Sequence, residues 1–130
     1  MNLSLKLFLE DKDSYIFGPG RAELLRSVAE MGSLHKAAQK LGMSYRWAWG
    51  RLRDAEEALG IKLLSQDKTA GKGNVKALTP EARELLAWFN AIQEDLDAVL
   101  EKMLAVQPPF LQSMRRVPAH DRKKSRNVPD

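Results

Sequence analysis

A chain of 130 residues is long enough for one domain and a tail. It contains no cysteine, which removes disulfides, thiolate nucleophiles and cysteine-ligated zinc, and no apolar run approaches the ~20 residues of a bilayer span. The net charge of +4 is unevenly divided: residues 33–78 carry +5, residues 79–106 carry −4 and residues 107–130 carry +4. The middle of the chain and its tail therefore have the polarity that a phosphate-binding surface needs.

The first stretch, Leu3-Ser-Leu-Lys-Leu-Phe-Leu9, alternates with Leu3, Leu5, Leu7 and Leu9 on one side, which is strand periodicity. Asp11-Lys-Asp13 reads as a turn and Tyr15-Ile-Phe17 as a short return strand, giving a hairpin. The start has no signal-peptide apolar block, so a cytoplasmic location is expected. Gly18-Pro-Gly20 opens a helix whose Leu24, Leu25, Val28 and Met31 recur at helical spacing, with Gly32 as its stop.

Two short helices follow, joined at Gly42. Ser33 is placed to cap the first, whose Leu34, Ala37, Ala38 and Leu41 share a face. Ser44 is placed to cap the second, with Ala48, Leu52, Ala55 and Leu59 turned inward. Small alanines let the two cross closely, the pattern of a helix-turn-helix whose second helix enters a DNA major groove. At about 100° per residue, Arg46, Gly50 and Arg53 point away from the inward face with Trp49 on their flank. Arginine offers a planar donor fork for guanine edges or phosphate. The competing reading is a solvated bundle face, with Trp47 and Trp49 as core filler.

Beyond Gly60, Ile61, Leu63 and Leu64 predict a strand and Val75 to Leu78 its partner, with Gly71 and Gly73 in the connecting loop. A hairpin after a recognition helix is a wing, and its Lys68, Lys72 and Lys76 are candidates for flanking phosphates or a minor groove. Gly71-Lys-Gly73 lacks the spacing of a nucleotide phosphate loop, and no helix follows it directly. Thr79-Pro-Glu81 starts a long helix. Its Leu85, Phe89, Ile92, Leu96, Val99 and Met103 continue a heptad seam from Ala82, expected to pair with the same helix of a second subunit. Gln107-Pro-Pro109 stops that helix. Residues 107–130, with Arg115, Arg116, Arg122, Lys123, Lys124 and Arg126 among prolines and polar residues, are expected to form a disordered basic tail.

His35 and His120 have no serine, carboxylate or second histidine at a triad or metal spacing. No catalytic residue, metal ligand or cofactor is assigned, and the chain is not read as an enzyme.

Residues 3–105 resemble the N-terminal DNA-binding domain of ModE-type molybdate-responsive regulators of bacteria and archaea. The likeness rests on Leu5-Lys-Leu7, Gly32-Ser33, Ala37-Ala38, Gly42-Met-Ser-Tyr-Arg-Trp-Ala-Trp49, Thr69-Ala-Gly-Lys-Gly73 and Leu78-Thr79. More loosely, Ala37-Ala38, Leu41, Ser44, Leu59-Gly60 and Leu78-Thr79 are similar to the LysR-type domain. The resemblance implies a homodimer joined through its long helices on a palindromic operator of double-stranded DNA, regulating molybdate uptake or molybdenum-enzyme genes. It implies Ser44, Tyr45, Arg46 and Trp49 as groove and backbone contacts and Lys72 as a wing contact; Arg53 is added from helix geometry and Lys68 from the wing's composition. Relatives continue into an oxyanion-binding region of β-barrel modules. Only the basic tail follows here, so no oxyanion ligand is assigned.

The expected fold is mainly α with small β: a winged helix-turn-helix over residues 1–106, with an N-terminal β-hairpin and a long dimerisation helix at 79–106. The alternative function is a protein-interaction module on a winged-helix scaffold that no longer binds DNA.

Overall fold

A computed structural model describes residues 1–66 and 76–114. Strands β1 (Leu9–Asp11) and β2 (Ser14–Phe17) form an antiparallel hairpin. Lys12 and Asp13 at its tip both take positive φ, 51° and 65°, the pair of left-handed residues that matches the twist of a two-residue turn. The expected strand over residues 3–9 is not formed before Leu9, and Leu3 and Leu5 are exposed. A ladder needs a facing strand, and after Phe17 the chain enters helix α1 (Pro19–Met31), so β2 does not extend far enough to continue the ladder along residues 3–8.

Helix α1 begins with Pro19 in its first turn and ends at Gly32, whose φ of 66° lets its N–H donate to Val28 O at 2.8 Å. Leu24, Leu25 and Val28 are fully buried, whereas Met31, at the helix end, is exposed. Helices α2 (Leu34–Lys40) and α3 (Tyr45–Leu59) start on serine caps: Ser33 Oγ accepts from Lys36 N at 3.2 Å, and Ser44 Oγ accepts from Trp47 N at 3.1 Å. Leu34, Ala37 and Ala38 of α2 meet Ala48, Leu52 and Ala55 of α3 in one core, with α1 as the third helix.

Strands β3 (Leu64–Gln66) and β4 (Lys76–Leu78) pair antiparallel, Leu64 opposite Leu78. The tip of this hairpin, with Lys68, Gly71, Lys72 and Gly73, lies outside the described residues. Thr79 then links hairpin and helix α4 (Pro80–Ala105): its Oγ1 accepts from Ala82 N at 3.1 Å and donates to Lys62 O at 2.6 Å. The buried residues of α4 are Ala82, Leu86 and Phe89, all in its first ten residues.

Two expectations need correction here. Phe89 lies on the heptad seam but is only 4% exposed and stacks edge-on against Phe17 at 5.1 Å, so its own core consumes it. The segment after α4 is not irregular throughout: Pro109–Gln112 form a helical turn, α5, for which Pro109 supplies the preset φ. Residues 115–130 lie outside the described residues.

Candidate nucleic-acid interface

The outward face of α3 is built by what its inward face excludes. Burying Ala48, Leu52 and Ala55 leaves Arg46, Gly50 and Arg53 on the opposite side, and Arg46 and Arg53 are exposed. Arg46 makes no hydrogen bond or ion pair among the described residues. A Cβ built on Gly50 would meet nothing within 4 Å, so no packing among the described residues requires glycine there. It leaves a shallow place between two arginines.

Arg53 is tethered. Its Nε donates to Glu57 Oε1 at 3.2 Å, and its guanidinium lies 5.0 Å from the Trp49 ring. Both partners of that ion pair are more than half exposed, so it is worth at most about 1 kcal/mol and an incoming anion can displace it. On the other flank Arg51 sits 5.8 Å over the Trp47 ring. Trp47 and Trp49 are 59% and 45% exposed, so neither fills the core. Each instead props an arginine one helical turn away.

Tyr45, at the start of α3, is exposed and stacked flat on His35 of α2, with ring centroids 4.0 Å apart and planes 8° from parallel. That contact fixes the tyrosine at the junction of the two helices. Ser44 accepts from the backbone through its oxygen, which leaves its hydroxyl hydrogen available to a ligand. The structure therefore brings Ser44, Tyr45, Arg46, Trp49 and Arg53 together on α3; Lys68 and Lys72 lie outside the described residues.

Sequence reasoning missed three neighbours of this face. Arg51 and Asp54 lie on the flank of α3 toward the first hairpin, and Arg21 of α1 backs them. The Trp47–Arg51 spacing of one turn was legible. The burial of Arg21 was not, because it depends on where β2 delivers Ile16. Among the described residues no group of three or more His, Cys, Asp or Glu could hold a metal ion. No helix among them is long and apolar enough to cross a membrane.

Comparison with known proteins gives a consistent set of likenesses. Residues 20–83 match the model of the bacterial regulatory helix-turn-helix proteins of the lysR family. The chain is similar to the molybdenum-pterin-binding protein MopB of Rhodobacter capsulatus, 29% identical over 94 residues, which are 70% of this chain and 35% of that protein. It is similar to the transcriptional regulator ModE of Haemophilus influenzae, 29% identical over 93 residues (71% and 36%). It also matches the molybdenum transport protein ModE of Herbaspirillum seropedicae, 39% identical over 71 residues (54% and 26%). The chain thus spans about a third of the length of the first two of these relatives and about a quarter of the third. Among solved structures, the fold is similar to the CbnR DNA-binding domain crystallised with DNA, with a TM-score of 0.53 at 22% identity over 67% of this chain and 94% of that one. The BenM DNA-binding domain with benA site 1 DNA gives 0.52 at 22% identity over 68% and 96%.

Proposed function

We propose that the chain, whose residues 20–83 match the model of the bacterial regulatory helix-turn-helix proteins of the lysR family, is a sequence-specific DNA-binding transcriptional regulator of the ModE type. One observation carries the reading: Arg46 stands exposed and unpaired among the described residues, beside the bare backbone of Gly50, on the outer face of the second motif helix. An unpaired arginine there is ready to donate two hydrogen bonds to a guanine edge. Ser44, Tyr45, Trp49 and Arg53 surround it as groove and backbone contacts, and Lys68 and Lys72 of the wing reach flanking phosphates.

The protein acts as a homodimer. Every buried residue of α4 lies at or before Phe89, so among the described residues the core fully buries none of the last sixteen residues of the 26-residue helix. Leu85, Ile92 and Leu96 are half-buried, and Val99 and Met103 are 54% exposed. This stripe is where a second copy docks. Two recognition helices then address a palindromic site, in the cytoplasm, among genes of molybdenum transport or use, the subject that the relatives' names share.

Selecting genomic fragments bound by the purified protein, then measuring their affinity by fluorescence anisotropy against a random duplex, tests the reading. A recurrent palindrome bound at least a hundredfold more tightly than random sequence is expected. Failure to shift any fragment at low salt would transfer the fold to the alternative role of protein-interaction module.

A further inference from the structure

Arg21 is the one buried charged residue of the described core, only 7% exposed. Its Nη1 donates to Ile16 O at 2.5 Å and its guanidinium lies 4.6 Å over the Tyr15 ring, but its Nε has no hydrogen-bond partner. No carboxylate forms an ion pair with it among the described residues. Burial pulls its pKa below the ordinary arginine value; Arg51 adds to that, while Tyr15 and Asp54 oppose it. Buried guanidinium groups ordinarily sit against an anion, because removing a cation from water without a counter-charge is costly. Here the facing charges are another cation, Arg51, and a carboxylate too far away for an ion pair.

These groups border one cleft of about 350 Å³, lined by Arg21, Ser44, Arg46, Trp47, Arg51 and Asp54, with Gly50 on its rim. Three arginines against one aspartate leave it doubly positive. The Trp47 ring lies 5.8 Å from the Arg51 guanidinium, and Gly20, where an added Cβ would lie 3.1 Å from Arg51 Nη2, leaves that guanidinium room at the wall. The cleft shares Arg46 and Gly50 with the outward face of α3, so anything in the groove against that face passes its mouth.

We propose that this cleft is an oxyanion site that receives a phosphodiester group of the bound duplex, with Arg51 and the Ser44 hydroxyl as donors and Arg21 as the fixed positive charge behind them. The proposal rests on the DNA-binding reading. It makes the Arg51 flank a clamp that sets how deep and in which register α3 sits, while Arg46 faces the bases. Asp54 restrains the clamp by partly neutralising it when no duplex is present.

The test compares the full chain with its Arg51→Gln, Arg51→Lys and Asp54→Asn variants, each first checked for an unchanged thermal midpoint, on operator and random duplexes from 50 to 300 mM salt. Arg21→Gln is set aside because that side chain also packs the fold. Arg51→Gln is expected to weaken both duplexes by the same factor, about three- to tenfold, and to lower the slope of log affinity against log salt by about 1 per recognition helix. Arg51→Lys is expected to restore the slope, and Asp54→Asn to tighten both duplexes several-fold. An unaltered slope in Arg51→Gln, with the unaltered protein still binding DNA, overturns the clamp alone. No binding of any duplex by the unaltered protein overturns the DNA reading and the clamp with it. Inorganic phosphate titrated into the DNA-free protein separates the two sources of oxyanion: heat that Arg51→Gln abolishes, beside an unchanged DNA salt slope, would assign the cleft to a free anion and overturn the proposal.

Discussion

Arg46 and Arg53 share a face of α3 but not a state. Arg53 is held by Glu57 and by the Trp49 ring, whereas Arg46 has no such tie among the described residues. A side chain that surrenders an ion pair on binding gains less than one that surrenders only water, so Arg46 is the stronger candidate for base discrimination. Arg46→Ala is expected to narrow the gap between operator and random duplex by about 1–3 kcal/mol, read as a ratio of dissociation constants at one salt concentration. Equal losses on both duplexes would reassign Arg46 to the phosphates. Thr79 is the residue on which stability turns at the same scale. It is buried, caps α4 through Ala82 N and ties the helix start to Lys62 O across the base of the second hairpin. Thr79→Ala removes the cap and leaves the part-buried Lys62 carbonyl without the hydroxyl donor, at a cost of about 1–3 kcal/mol. Urea unfolding checks this, and Thr79→Ser, which keeps the hydroxyl, is expected to recover most of the loss.

Helix starts and stops were legible in the sequence because they are local chemistry. Ser33, Ser44 and Thr79 each cap the helix they precede, and Gly32, Gly42 and Gly60 each take the positive φ that ends one. What was not legible depends on a partner distant in sequence. Alternating leucines predict a strand, but no pattern within residues 3–8 reveals that the opposite backbone has already turned into α1. A heptad seam likewise states which residues of α4 face one way, not what covers them. Phe89 is covered by Phe17 of the same chain, while Val99 and Met103, further along that seam, remain exposed. The two parts of α4 therefore respond differently to substitution. Phe89→Ala is expected to cost about 3–5 kcal/mol of folding stability, as buried aromatic deletions do. Val99→Asp with Met103→Asp is expected to leave the fold in place and convert a dimer to a monomer in sedimentation equilibrium at micromolar concentration. A monomer before any substitution would remove the dimer from the reading.

Across the whole molecule, charge and connectivity limit how a duplex can lie. Residues 33–78 are basic and residues 79–106 acidic, and Glu94, Asp95, Asp97 and Glu101 are all exposed on the distal part of α4. In the proposed dimer a polyanion is drawn to the helix-turn-helix and repelled from the long helix, so each copy would present its α3 with the paired α4 helices clear of the phosphates. In that arrangement the distance between the two recognition helices is set by protein, through the continuous helix from Thr79 onward, and not by a flexible linker. The half-sites must then lie about one turn apart, roughly 34 Å, on one side of the duplex. Inserting about 5 base pairs between them rotates one half-site to the far side and is expected to reduce affinity to that of a single half-site. Inserting about 10 base pairs restores the face but doubles the span, which a rigid pair of helices cannot follow, so affinity is expected to stay low. Recovery at the longer insertion, measured by anisotropy on the three duplexes, would show that the junction between wing and α4 bends, and that the dimer adapts its reach to the site.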